Sequence, residues 1–421
     1  MTDPTTSSDG KGAPVHQQGL PRRGLLGLAG AATAGAVALG VDAHRNGRET
    51  GNPTSAKVPS GLDPRGRAWD PHGDVQAGVL TPVPAATTLF TLDLAPGTTK
   101  DALRRLLTIW SHDIEALMAG IPVPGDPQPD LAQPNVSLTV TIGLGPGVFR
   151  VPGLTAALPP GLAEVPPMDH DRLQPRWSGG DLLAIVSADD PTTVSHACRI
   201  LRRDARTLTT ERWTQDASWR GVDRDGTPIT GRNLFGQVDG TGNTTSGAAD
   251  KIWAEDPQPW FAHGTTLVVR RIEMNMQTWD GLVRDRQELA MGRRLSDGSP
   301  LTGHRELDDL DLAATDQSGR PVIPLNAHAR LAHPSQNRGR TMLRRSMNYT
   351  HTEFADGKQV TTSGLVFMSF QSSIPGVFTP VQQRLDQADA LNEWTTAIGS
   401  AVFAIPGGFR PGGIVAGGLF A

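Results

Sequence analysis

One cysteine, Cys198, and one tyrosine, Tyr349, occur among 421 residues, and aromatic side chains make up only 5% of the chain. A lone thiol allows no intramolecular disulfide, no Cys-rich zinc site and no cysteine-ligated iron–sulfur cluster. Basic excess is missing too: 39 Lys and Arg face 43 Asp and Glu, a formal net charge of -4. Nucleic acid is therefore not an expected partner. Apart from Gly24–Val41, no uninterrupted apolar run approaches a membrane span. What is plentiful is glycine and proline, 48 and 34 residues, about a fifth of the chain, which marks a folded but loop-rich protein. Its length provides for two or three domains' worth of core.

Residues 1–21 are polar; Arg22 and Arg23 then precede the small-residue apolar stretch Gly24–Val41, and Val41-Asp42-Ala43 is a small-x-small cleavage site. This pattern resembles a twin-arginine signal over residues 1–43, with no stable membrane span after processing and an extracytoplasmic or secreted destination. Residues 44–72 are polar, Pro/Gly-rich and aperiodic, and read as a flexible linker.

From Thr87 the periodicity becomes legible. TLFTLDL at 88–94 is a strand, and Thr98 with Asp101 makes a capping box for a helix whose buried face runs Leu103, Leu106, Leu107, Trp110, Ile114, Leu117 and Met118. VSLTVTI at 136–142 alternates as a half-buried strand, LLAIVSA at 182–188 is a central strand, 191–206 is a helix, and LTTERWT at 208–214 alternates again. That order, strand-helix-strand-strand-helix-strand, is the split βαβ or ferredoxin-like arrangement. A looser second round follows: strand 265–274, a helix around Trp279–Ala290, strands 341–350 and 364–371, a helix from about Pro380 to Trp394, and a short strand at 400–406. The expected architecture is α+β, with modules over 73–235 and 236–421.

Three stretches carry candidate chemistry. In NLFGQVDGTGN (233–243), Gly236, Gly240 and Gly242 permit positive φ and close approach of backbone to a ligand, around Asp239. Asp239 reads as a general base or as part of a Gly-Asp turn between the halves. No GK[ST] follows, so a phosphate loop does not fit. In IPLNAHARLAHP (323–334), His328 and His333 stand five apart, unlike the zinc pair of HExxH. Each reads as a structural histidine or as a lone axial ligand opposite an open position, the arrangement of a haem peroxidase. In TMLRRSMNY (341–349), Arg344 and Arg345 are neighbours on a strand, so one turns inward, where it needs an anion, and the other meets solvent; a plain surface pair is the alternative.

Together these segments resemble the dye-decolourising peroxidase family, haem enzymes with a GxxDG distal loop, here Gly236-Gln237-Val238-Asp239-Gly240. The resemblance continues through GDVQAGV (73–79), WFAHGTTLVVRRIEM (260–274), AHAR within 323–334, LRRSMNY (343–349), GLVFMSFQ (364–371) and GSAVFAIPGG (399–408), and points to the twin-arginine-exported bacterial branch that includes deferrochelatase-type peroxidases. It implies two tandem ferredoxin-like modules forming an α+β barrel, with haem b in the C-terminal half. It further implies an exported peroxidase, a monomer or small homo-oligomer, that reduces hydrogen peroxide and oxidises dyes, phenolics or a metal reductant through a ferryl intermediate. A haem-handling protein for iron recovery is the alternative it allows.

By position, His328 matches the proximal ligand of the haem iron, Asp239 the distal acid, Arg344 the distal arginine, and Arg232 an arginine paired with a haem propionate. The resemblance also implies Gly240, Thr241 and Phe367 as cofactor-binding residues, and Asp389, with Asp386 as rival, as the carboxylate behind the proximal imidazole. Ser346 stands where branches of the family place asparagine or glycine. The chemistry suits these residues: peroxide loses a proton from one oxygen and gains one at the other, which one acid-base group such as Asp239 serves, while a fixed guanidinium at Arg344 stabilises the departing oxygen. With nine Trp and one Tyr, any protein-radical relay falls to tryptophan.

Overall fold

Apolar and β-branched runs form the strands, because such side chains fit a pleated surface covered on both faces. The computed structural model describes residues 66–255, 258–355 and 357–421; the signal and most of the linker lie outside the described residues. Among the described residues the strands number nine: β1 (Ala86–Leu94), β2 (Thr139–Leu144), β3 (Leu182–Ala188), β4 (Thr209–Ser218), β5 (Thr265–Met274), β6 (Leu343–Arg344), β7 (Met347–Ala355), β8 (Lys358–Gln371) and β9 (Thr395–Ile405). Seven α-helices lie between them: α1 (Lys100–Met118), α2 (Pro191–Ala205), α3 (Thr241–Thr245), α4 (Met276–Asp280), α5 (Arg284–Met291), α6 (His328–Leu331) and α7 (Thr379–Ala388). The fold is α+β, and none of the described helices is long and apolar enough to cross a membrane.

The strands pair in the order β5-β9-β2-β3-β1-β4-β7-β8, and β8 returns to β5, so eight strands close into an antiparallel barrel. Within the first half the order is β4-β1-β3-β2, and within the second β9-β5-β8-β7. Two thin seams join the halves, Leu144↔Ala404 and Ser218↔Asn348. Leu89, Leu183, Leu267, Met368 and Phe403 fill the barrel, while α1 and α2 cover one outer wall through Leu103, Leu107, Trp110, Ile200 and Leu201. Alternation along β8 sends Val366 and Met368 to the interior cluster and leaves Leu365 and Phe367 on the outer face, where they line the main cavity.

Several expected boundaries move. The cap of α1 is Thr99, whose hydroxyl accepts from Ala102 N–H at 3.2 Å, rather than Thr98, which bonds back to Ala95. Strand β2, expected half-buried, is buried at all six residues, since Val140, Ile142 and Leu144 share a core with α1 while its other face closes the barrel. One expected helix near Trp279–Ala290 is two, α4 and α5, interrupted at Gly281–Val283. The strand expected over 341–350 breaks at Arg345–Ser346, and the last helix ends at Ala388, where Asp389 turns extended and caps a 3-10 turn. Strand β9 runs eleven residues rather than a short stretch. The end of the expected linker is tied down: Arg67 C=O accepts from Ser137 N–H at 2.8 Å, and His72 bonds Glu115 at 2.8 Å.

Candidate active site

The loop that carries Asp239 is shaped by its own side chains. Asn233 Oδ1 accepts from Phe235 and Gln237 N–H, Arg232 bridges Val238, and Asp239 N–H donates to Gly231 C=O at 2.9 Å. Gly240 follows at φ 133°, a conformation closed to a side chain, and opens α3. This turn holds the Asp239 carboxylate at the edge of a cavity of about 900 Å3 whose wall includes Gly240, Thr241, Phe367, Arg344 and His328.

Arg344 Nη2 stands 3.7 Å from Asp239 Oδ1. That distance is an ion-pair contact but beyond direct hydrogen bonding, so both groups keep hydrogen-bonding capacity for a small molecule between them. The guanidinium lies close over the first turn of α3: a Cβ added at Gly242 would sit 3.6 Å from both of its terminal nitrogens. Asn243, on the same turn, accepts from the Arg344 N–H and donates to its C=O.

His328 starts the single turn α6. Its Nδ1 is 2.5 Å from Asp389 Oδ2, while Asp389 Oδ1 accepts from Leu391 N–H at 2.9 Å. Burial alone would hold the imidazole's pKa down, but the charge and hydrogen bond of Asp389 carry it above the usual histidine value, with Asp239 adding to and Arg344 opposing the rise. Of the two candidate carboxylates, Asp389 is the one the fold brings to His328. Asp386 faces the other way and accepts from Asp169 N–H, His170 N–H and the His170 ring.

Other expected residues end up elsewhere. Arg232 is not among the cavity-lining residues, and its terminal nitrogens donate to the carbonyls of Gly236, Leu295 and Ser296, at 2.6 to 2.8 Å. It braces the Asp239 loop against the 295–296 turn. The arginine pair turns one member inward, as the strand reading expects, and is not the plain surface pair that stood as the alternative. Arg344 faces the cavity, whereas Arg345 is buried and meets the Thr81 carbonyl instead of the expected anion, and burial pushes its pKa down to about 10. Ser346 is buried with its hydroxyl unpartnered. His333 caps the turn at Pro334–Gln336 and lines the cavity, and burial lowers its pKa.

Three features of the site are absent from the sequence reading. Arg270, on the outer face of β5, pairs with Asp171 at the cavity wall and keeps Nη1 buried without a partner. Glu306 accepts from the Thr241 hydroxyl at 2.8 Å, and its own backbone carbonyl accepts from Arg293. The Asn243 clamp is the third. Alternation along β5 is the one signal that bears on Arg270, since Arg270 and Arg271 must face opposite sides of the sheet. No tryptophan is among the cavity-lining residues; Trp279 stacks at 4.2 Å on Phe235, which is.

Comparison with known proteins matches this architecture. The family model for the N-terminal part of Dyp-type peroxidases covers residues 76–217, and that for the C-terminal part covers 230–410. The dye-decolorizing peroxidase of Thermobifida fusca is 34% identical over 96% of both chains, and the deferrochelatase of Yersinia pestis is 29% identical over 97% of this chain and 96% of its own. Among solved structures, a DyP-type peroxidase from Cellulomonas bogoriensis is 44% identical with a TM-score of 0.79, covering 85% of this chain and 99% of its own. Ferric DtpA from Streptomyces lividans is 39% identical with a TM-score of 0.80, covering 86% of this chain and all of its own. With both family models matched in order over a closed barrel, beside a cavity whose lining gathers an acid, an arginine and a carboxylate-backed histidine, this chain belongs to the Dyp-type peroxidases and is a haem peroxidase.

Proposed function

We propose that the cavity takes haem b, with His328 as the residue that would hold its iron and Asp239 with Arg344 acting together on hydrogen peroxide. The observation that carries this reading is that all three side chains line one cavity, His328 backed by Asp389 and the other two 3.7 Å apart. The cavity fits such a group. Phe367, Leu365 and Ile272 offer an apolar wall for a flat ring, and Arg270 offers an orphaned buried donor suited to an anionic substituent. The order β4-β1-β3-β2 in one half and β9-β5-β8-β7 in the other supports reading 73–235 and 236–421 as tandem ferredoxin-like modules, with the haem carried by the second. Export by the twin-arginine route rests on Arg22, Arg23 and the apolar stretch after them.

Bound haem supplies an iron that accepts electrons from a reductant and passes them to peroxide. The rest falls to the protein. Asp389 keeps the hydrogen on Nδ1 of His328, leaving Nε2 as a neutral donor whose basicity the carboxylate raises. Asp239 would take a proton from one oxygen of hydrogen peroxide and return it to the other, which departs as water with the electron pair of the O–O bond; two electrons from the reductant and two protons turn the oxygen left behind into a second water. Arg344 holds the charge that builds on the departing oxygen, a role whose loss costs on the order of a hundredfold or more in rate. His328→Ala is expected to lose haem, and Asp239→Ala or Arg344→Leu to retain it while consuming peroxide slowly; full haem stoichiometry with an unchanged absorption spectrum in His328→Ala refutes the ligand assignment.

Iron recovery from haem is the second reading, carried by a 29% likeness to the Yersinia deferrochelatase. A haem carrier needs only His328 and a pocket, whereas the Asp239–Arg344 pair serves peroxide. Chromatography of spent reactions separates the two, because iron recovery leaves intact porphyrin without metal.

A further inference from the structure

We propose that Asn243 is a positioning residue that sets the aim of Arg344, an inference that rests on the roles given above to Asp239 and Arg344. Strand β6 has only two residues and, among the described strands, one neighbour, β8. Arg345 N–H points to that neighbour, donating to Met368 C=O at 2.9 Å. Because backbone groups alternate along a strand, the N–H and C=O of Arg344 point the opposite way, to an edge that no strand covers. Left without partners at this part-buried position, both groups carry a desolvation cost.

Asn243 occupies that edge. Its Oδ1 accepts from Arg344 N–H at 2.9 Å and its Nδ2 donates to Arg344 C=O at 2.7 Å. One side-chain amide thereby makes the pair of bonds that a neighbouring strand would make. Asn243 is itself fixed to the acid's loop, since its N–H donates to Gly240 C=O at 2.8 Å, one residue beyond Asp239. The acid and the arginine lie about a hundred residues apart in sequence, and this amide ties the α3 turn directly to the Arg344 backbone, while Asn348 makes a second link farther out, to the Arg232 carbonyl. The job demands a donor and an acceptor on a short stem. Aspartate supplies only the acceptor and alanine neither. Without the clamp the guanidinium loses its register with Asp239, and misplacement by about 1 Å at a reacting centre costs on the order of a hundredfold.

The test is a double-mutant cycle on the haem-loaded protein: wild type, Asn243→Ala, Arg344→Leu and the double variant. Each is measured for fluoride affinity of the ferric form, which reads the distal hydrogen-bond donor without turnover, and for its second-order rate with hydrogen peroxide. Asn243→Ala is expected to keep its haem yet lose about ten- to a hundredfold in both, and the double variant to be no worse than Arg344→Leu. Asn243→Asp, which keeps the acceptor for Arg344 N–H but sets a carboxylate oxygen against Arg344 C=O, is expected to lose at least as much as alanine, and it carries the same cycle if the alanine variant does not fold. An Asn243 variant indistinguishable from wild type, or a penalty that adds in full to that of Arg344→Leu, overturns the inference. Arg344→Leu without effect on either readout removes instead the reading of Arg344 on which the inference stands.

Discussion

Replacing Asp389 by asparagine separates the geometry behind His328 from mere packing. In the native site Oδ2 faces His328 Nδ1 at 2.5 Å and Oδ1 takes the Leu391 N–H at 2.9 Å. An amide has one oxygen for these two partners. If it stays on Leu391, the amide NH2 faces Nδ1, which must then accept, so the ring hydrogen moves to Nε2, the nitrogen needed for iron. If the amide flips, His328 keeps its tautomer and the buried Leu391 N–H loses its acceptor, at about 1–3 kcal/mol. That cost falls on haem binding alone, because the free protein keeps the first arrangement. It multiplies the tenfold to hundredfold loss of metal affinity expected from removing the carboxylate. Asp389→Asn is therefore expected to bind haem on the order of a hundredfold or more weaker than wild type, and weaker than Asp389→Ala, in which the imidazole chooses its tautomer freely. Asp386→Asn, whose carboxylate serves His170 and two backbone N–H groups, is expected to bind within about twofold of wild type, well inside the change that losing a metal's supporting carboxylate brings. Haemin titration of the apoproteins, followed at the Soret band, reads all four. Wild-type affinity in Asp389→Asn, or an equal loss in Asp386→Asn, refutes the reasoning.

Two further predictions concern the packing of α1 against α2. Burial, with the hydrogen bond and charge of Asp204, pushes the Asp113 carboxyl up to about 7 from an ordinary 3.8, against the pull of Arg203. The folded chain thus holds the extra proton between those values, and stability falls as pH rises through that window. Asp113→Asn should raise the Tm at pH 8 and leave it nearly unchanged at pH 4; a lower Tm than wild type at pH 8 contradicts the assignment. Trp110 is fully buried between α1 and α2 and donates to the Leu201 carbonyl at 2.9 Å. Trp110→Ala is expected to cost about 3–5 kcal/mol by chemical denaturation, and a loss below about 1 kcal/mol would place the residue outside the load of the core.

Local pattern was enough for the elements whose burial is local. Strands β3 and β5 stand at the bounds read from LLAIVSA and TTLVVRRIEM, and α1 presents the buried face that three-four spacing marks, because a continuous apolar run or a 3.6-residue stripe has few other ways to leave water. Asp239, Arg344 and His328 were legible as residues, through the motifs that hold them. The breaks were not. Nothing in the periodicity of 341–350 announces that the strand parts at Arg345–Ser346, nor that the last helix stops where Asp389 must turn to reach His328. Those interruptions serve partners far along the chain.

Sequence by itself determined which segments seek burial and which side chains bear charge, since both depend on the residue and its near neighbours. Tertiary structure alone decided the closure of the barrel through one residue pair at each seam, the choice of Asp389 over Asp386, the diversion of Arg232 to backbone carbonyls, and the grip of Asn243 on Arg344. Each of these is a distance between residues remote in sequence, and such distances are set by how packed elements meet, not by any pattern within one of them.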